Sequence, residues 1–275
     1  MAEGYAVRAG VAGLSLAAAG MIPYFEPPSL SIGPLDVSLF SGLVLLAVVA
    51  GVVVLRRRAR HEGIDPSTAE RLVWWTLLGG FLGAHLVDRL AYFPGETLRD
   101  PLSLLRLWEG LSAFGGFLGA VIALAVYLRL VHLRPDSWRY IDAIAYAFPL
   151  GWVIGRLGCF VAYDHPGTAT GLFFGQTYRD GVVRHNLGLE EALYTVLLAA
   201  FFFALGRRRR RPGVFTALLA ILYAPARFLL DFLRIGEPLY LGLTPGQWGS
   251  LLLVPAGIAV LVHSLRAPAG LHSGG

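Results

Sequence analysis

Arginine is costly inside an apolar segment, and this sequence places two there. Arg156 stands in Gly155-Arg156-Leu157-Gly158-Cys159-Phe160, and Arg227 in Tyr223-Ala224-Pro225-Ala226-Arg227-Phe228-Leu229-Leu230-Asp231. A guanidinium stays charged at any working pH, and its planar fork matches phosphate oxygens. An ionisable group in a membrane helix usually faces the bundle interior or a wet cavity. Two such arginines beside small residues and a proline point to an anionic guest. In a bilayer the abundant phosphate-bearing guest is a phospholipid headgroup. Arg227 and Asp231 are four apart and share a helix face, so they also fit a self-neutralising pair that lets the helix insert.

Groups that handle protons lie close by. Asp164-His165-Pro166-Gly167 follows the Arg156 segment at the mouth of its span. His165 is a candidate general base, and a carboxylate such as Asp164 beside an imidazole raises its basicity. The same four residues also fit a plain turn before Pro166. His85, with Asp88 and Arg89 three and four residues on, is the competing base. That trio equally fits a local ion pair near a helix end, with Arg89 reaching for the interface. Cys159 is the single cysteine, so no internal disulfide forms, and a small apolar packing role suits it better than that of a nucleophile.

Such groups need helices to hold them. The chain has 275 residues, 56% hydrophobic and 15% charged, with a mean hydropathy of +0.62. Soluble domains carry about 25% charged residues. A helix needs roughly 20 mostly apolar residues to cross hydrocarbon. Seven stretches qualify: Leu39–Leu55, Leu72–Phe93, Leu111–Val131, Ile141–Ala162, Leu189–Leu205, Val214–Leu233 and Trp248–Leu265. They are too long and continuous for barrel strands, which alternate and stop near 10 residues. An eighth hydrophobic segment, Ala6–Phe25, carries Arg8 and is rich in Ala and Gly. It fits a membrane-embedded helix better than a signal peptide, because no clean positive region precedes it. The expected fold is an all-α integral membrane protein: one domain over residues 1–275, a seven-span helical bundle plus that N-terminal segment.

Arginines set the expected orientation. Arg56, Arg57, Arg58 and Arg60 follow the first span, Arg129, Arg134 and Arg139 the third, Arg207–Arg211 the fifth, and Arg266 the seventh. With alternating spans these all fall on one side, which the basic-loop rule makes cytoplasmic. The C-terminus is then cytoplasmic and residues 163–188 form a small periplasmic head. Within it, Phe173, Phe174, Tyr178 and Val182-Val183 suggest a hairpin turned by Arg179-Asp180-Gly181. The formal net charge of +5 is accounted for by these topological clusters, so no nucleic-acid partner is expected. The sequence has no Gly-rich phosphate loop with a following Lys, no metal-ligand spacing and no tandem repeat.

From about Pro27 to Ala259 the chain resembles the prolipoprotein diacylglyceryl transferases of bacterial inner membranes. The resemblance rests on the order of many short motifs. These are Ser31-Ile32-Gly33-Pro34, Gly79-Gly80-Phe81-Leu82-Gly83-Ala84, Leu107-Trp108-Glu109-Gly110-Leu111-Ser112, Phe114-Gly115-Gly116, and Gly155-Arg156-Leu157-Gly158 with Gly167. Arg184-His185, Glu191-Ala192, Tyr223 to Arg234, and Leu243-Thr244-Pro245-Gly246-Gln247 complete the set.

The resemblance implies a seven-span bundle with a periplasmic head in the bacterial inner membrane. It implies transfer of the diacylglyceryl group of phosphatidylglycerol to the lipobox cysteine thiol of a prolipoprotein, releasing glycerol phosphate. Partners would be phosphatidylglycerol, the prolipoprotein signal peptide and membrane lipids, with no metal or organic cofactor required. Arg156, Arg227, Asp231 and Gly167 would bind substrate, with His165, Asp164 and His85 as the catalytic candidates. The family pattern has Tyr at Ser41, Arg at His85, His at Phe114 and Asn at Cys159 and Ala162. A related transferase with another acceptor, or a lipid- or lipoprotein-binding paralogue without catalysis, therefore stays open.

Overall fold

The computed structural model describes residues 22–32, 35–106, 110–130 and 137–266. Each of the seven long apolar stretches is a helix there: α1 (Leu39–Glu62), α2 (Pro66–Val87), α4 (Ala113–Leu130), α5 (Ser137–Ala162), α6 (Leu187–Leu205), α7 (Val214–Asp231) and α8 (Pro245–Arg266). The short helix α3 (Pro94–Arg99) lies between α2 and α4. By length and hydropathy α1, α5, α6, α7 and α8 suffice to cross a membrane. The protein is a multi-pass helical membrane protein. Residues 6–21 of the N-terminal hydrophobic segment lie outside the described residues. Ile22 pairs with Gln176 of the head, and the Phe25 amide donates to the Tyr163 hydroxyl at 3.0 Å.

Helix starts follow local chemistry. Asp65 caps α2 by accepting from the amides of Ser67 and Thr68, with Pro66 in the first turn. Thr244 and Gln247 form a reciprocal capping box on α8. The Thr244 amide donates to the Gln247 Oε1 at 3.0 Å, and the Gln247 amide to the Thr244 Oγ1 at 3.1 Å. Several expected boundaries move: α2 begins at Pro66 rather than Leu72 and α5 at Ser137 rather than Ile141. Helix α1 runs on to Glu62, past the arginine cluster, because arginine is a good helix former and Gly63, at φ 70°, supplies the stop. The second span leaves α-helical geometry at Val87 and widens into a π-turn over Asp88–Tyr92.

The helices pack mainly as pairs: α2 on α4, α1 on α5, α7 on α8, with α5 also against α6 and α7. The α2–α4 pair meets along glycines. A methyl placed on Gly83 would come within 2.7 Å of the Gly119 Cα, and one on Gly79 within 2.8 Å of the Gly119 carbonyl. Gly79–Gly83 and Gly115–Gly119 are both small-xxx-small steps, the spacing that lets membrane helices approach backbone to backbone.

Two small sheets sit at one end. Strands β1 (Ser29–Ile32) and β2 (Leu35–Ser38) pair antiparallel just before α1. The head holds β3 (Pro166–Ala169), β4 (Gln176–Thr177) and β5 (Val183–Asn186), in the order β3-β5-β4. The β4–β5 hairpin turns through Arg179-Asp180-Gly181, with Gly181 at φ 76°. Asn186 locks the head to the bundle. Its side chain caps α6 and donates to the Phe160 carbonyl of α5 at 3.2 Å, and to the Gln176 side chain. At the opposite end the basic segments meet: Arg58 donates to the Gly206 carbonyl at 2.6 Å, and Arg209 to the His61 carbonyl at 2.9 Å.

Candidate functional site

The site is built where α6 crosses α5. Gly188 lies flat on α5: a methyl there would meet the Phe160 amide at 2.8 Å and the Arg156 carbonyl at 3.1 Å. This close approach carries Glu191, one turn further along α6, into the interior beside Arg156. Helix α7 brings Arg227 from the other side. Arg156 Nε lies 3.0 Å from Glu191 Oε1, and Arg227 Nη1 lies 3.1 Å from Oε2. One carboxylate therefore holds two guanidinium groups from different helices. Its side chain is 1% exposed, against 10% and 13% for the arginines.

More donors converge on the same carboxylate. The Trp152 indole donates to Glu191 Oε1 at 2.8 Å, and the Tyr223 hydroxyl donates there as well. The Arg156 guanidinium lies over the Trp152 ring, 4.5 Å from its centroid. A buried charge is tolerable only when paired and hydrogen-bonded, and Glu191 meets that condition many times over. The second Arg227 nitrogen, Nη2, pairs with Asp231 Oδ1 at 2.7 Å, and Thr244 donates to Asp231 Oδ2 at 2.6 Å. The α8 cap thereby braces the arginine.

The outer side of Arg156 faces the mouth. Its Nη1 is 3.3 Å from His165 Nε2 and 3.7 Å from the Cys159 sulfur. His165 Nδ1 lies 3.2 Å from Asp164 Oδ2. Interaction with His165 holds the Asp164 carboxyl below the usual carboxylate range. Donor atoms of Cys159, Asp164 and His165 lie within 4.8 Å of one another, a grouping of metal-ligand type that sequence spacing did not suggest. The Arg156 guanidinium already puts a fixed positive charge against two of the three, which works against a cation there. A cavity of about 290 Å³ opens beside Asp164, walled by Pro27, Ser38, Phe40, Val161 and Ala162.

This arrangement can hold an anion against guanidinium groups and move a proton at the mouth of a membrane bundle. Comparison with known proteins supplies the lineage. The family described as prolipoprotein diacylglyceryl transferase matches residues 27–263. The chain belongs to that family. Relatives named phosphatidylglycerol–prolipoprotein diacylglyceryl transferase include one from Nitrosomonas europaea, 35% identical over 89% of this chain and 91% of its own. Another, from Cupriavidus necator, is 34% identical over 90% and 96%, and a third, from Chromohalobacter salexigens, 32% over 90% and 95%.

Against this diacylglyceryl transferase background, the residues singled out in the sequence fall into two groups. Arg156, Arg227, Asp231, Asp164 and His165 form one connected cluster through Glu191 and Arg156. Gly167 borders it on β3, where a methyl would meet the His185 Cβ at 2.7 Å and the Leu233 carbonyl at 3.1 Å. Its bridge to Arg234 ties the head to the end of α7. His85 stands elsewhere, buried in the α2–α4 region with Nδ1 3.4 Å from the Gly110 carbonyl. Asp88 and Arg89 pair locally at 3.2 Å. Phe114 is half exposed at the start of α4. The sequence reading did not place Glu191, Trp152 or Tyr223 in the site. Glu191 carries the one usable signal, a carboxylate followed only by apolar and small residues up to Gly206 apart from Tyr194 and Thr195.

Proposed function

We propose that this chain transfers the diacylglyceryl group of phosphatidylglycerol to the cysteine thiol of a prolipoprotein at the outer face of the bacterial inner membrane. The observation that carries the reading is the pair Arg156 and Arg227, brought from α5 and α7 onto one carboxylate at the mouth of a membrane bundle. The names of the relatives give the same donor and acceptor.

In this reading the phosphodiester of the donor lies against the two guanidinium groups. His165 Nε2 takes the proton of the incoming thiol, with Asp164 orienting the ring. The sulfur attacks the glyceryl carbon that bears the phosphate ester, the carbon–oxygen bond breaks, and glycerol phosphate leaves. Fixed positive charge is placed where negative charge grows on the leaving group. The proton held by His165 passes to solvent or to the departing phosphate. Arg156, Arg227, Asp231 and Gly167 form the donor-binding side of the site. His165 is preferred to His85 because it touches Arg156.

All seven long helices cross the bilayer, the head is periplasmic and the C-terminus cytoplasmic. The arginine-rich segments gathered at the end away from the head support this orientation. Purified protein with phosphatidylglycerol and a lipobox peptide should yield a thioether-linked diacylglyceryl peptide. A different lipidated product would redirect the acceptor assignment. No turnover at any lipid concentration would leave a binding protein. Topology tags after Arg211 and at the C-terminus should be cytoplasmic, and one at Gly171 periplasmic.

A further inference from the structure

Arg156 makes two commitments with one side chain. Its Nε faces Glu191, and its Nη1 faces His165 Nε2 at 3.3 Å. A guanidinium offers only donors, so the nitrogen it meets must offer a lone pair. The tautomer that accepts this contact has its proton on Nδ1, 3.2 Å from Asp164 Oδ2, and Nε2 bare to Arg156. The lone pair that a general base would use is already occupied by the arginine that a phosphate would use.

We infer that Arg156 and His165 form an exchange latch: donor lipid draws Nη1 off His165 and frees the base, so the acceptor thiol can lose its proton only after the lipid is bound. This rests on the donor-lipid reading above and adds an order of events to it. The exchange is geometrically short. Nη1 can leave His165 while Nε stays on Glu191, so the arginine remains anchored. Asp164 stays beside the other ring nitrogen, at 3.2 Å.

The latch has a reciprocal side. A protonated His165 has no lone pair for Arg156 and repels it, which releases Nη1 toward the lipid phosphate. By linkage, lipid binding strengthens the hold of His165 on a proton by the same factor. Lipid affinity therefore rises with protonation of His165, which a window of about pH 5.5 to 8 examines. The groups facing His165 are Asp164 in the same turn, Arg156 and Cys159 on α5, and, through Asp164, Arg234 after α7. Glu191 on α6 acts on it through Arg156. Asp164 is held below the usual carboxylate range and stays charged over this window. Phosphatidylglycerol is a phosphodiester whose charge is constant there.

The test is equilibrium binding of short-chain phosphatidylglycerol to the full-length protein in zwitterionic nanodiscs between pH 5.5 and 8 at fixed ionic strength. The wild type should tighten by about fivefold or more toward low pH, the lower end of coupling between linked sites. His165→Gln keeps an acceptor for Arg156 but cannot titrate, so its affinity should be flat. His165→Ala removes the acceptor, so at pH 8 it should bind the lipid at least as tightly as the wild type. A flat wild-type profile overturns the latch. So does an unchanged slope in His165→Gln, or weaker binding by His165→Ala at pH 8 than by the wild type. Absence of binding by the wild type at every pH would overturn the donor-lipid reading itself, and the latch with it.

Discussion

Arg58 and Arg156 are both buried arginines in apolar helices, at opposite ends of one bundle. Arg58 pairs with Glu62 Oε1 at 2.5 Å, donates to the Gly206 carbonyl, and lies between the rings of Tyr146 and Phe215 at 4.6 and 4.8 Å. Its faces and edges are taken up by groups that do not leave. Arg156 shares its carboxylate with a second arginine and turns Nη1 toward a histidine at an open mouth. Burial alone does not tell a strut from a binding group. The difference is in what the cation faces: Arg58 meets only fixed neighbours, whereas Arg156, in a cluster where Glu191 and Asp231 balance two arginines, turns one nitrogen toward the open mouth.

The sharpest way to break this comparison is at Glu191. Glu191→Gln leaves two buried guanidinium groups without their shared charge. Turnover should fall by at least about 100-fold, the scale for losing one preorganised group of a charged site, measured as thioether formation. Arg156→Lys or Arg227→Lys should follow, with about a tenfold to hundredfold loss in a folded protein, because a point charge cannot reproduce the fork. Arg58→Ala should do the reverse. It should destabilise by about 3 kcal/mol or more, as expected when one partner of a buried pair is removed, with turnover per folded molecule unchanged. Thermal unfolding beside specific activity separates the two classes. If Arg58→Ala lost activity at full stability, the distinction would collapse.

Smaller effects sharpen the geometry. Gly188→Ala should cost about 1–3 kcal/mol by overpacking the α5–α6 crossing, and should weaken donor binding because Glu191 moves with α6. Asp164 gives the mildest signal. Its folded-state pKa is depressed, so its contribution is present above the ordinary carboxylate range, near 4, and lost as pH falls through the folded value. Wild-type stability should drop more steeply than that of Asp164→Asn on acidification below about pH 4. Parallel curves would mean that His165 does not hold this carboxylate.

Helix positions were legible in the sequence because crossing hydrocarbon demands length and apolarity together, and both are written locally. Arg156 and Arg227 stood out for the same reason, as charges against an apolar background. Glu191 did not. A glutamate in the second turn of a helix reads as ordinary complement to the positive helix end. Its role comes from Gly188, which sets the crossing, and from two arginines 35 and 36 positions away. The separation of His85 from His165 was equally invisible, since both lie near span ends in sequence and only packing puts one against α4 and the other on Arg156. The glycines of α2 and α4 were visible as motifs, but their meaning as a shared seam needed both helices in place.

The division of one carboxylate between two arginines also bears on how the chain enters the membrane. Helix α5 reaches the bilayer with Arg156 and only Asp142 as an acidic residue within the helix; Asp164 follows just past its end, and Glu191, the partner of the Arg156 Nε, only after the head has been made. Each charge inserted singly costs roughly 2.5–3.5 kcal/mol at mid-membrane depth, and less toward the interface. Entered together they cancel. Synthesis order thus favours α5, head and α6 integrating as one hairpin, with α7 arriving afterwards carrying its own neutral pair, Arg227 and Asp231. A translation pause or truncation that separates α5 from α6 would strand an arginine in lipid and offer quality-control proteases a partly inserted chain.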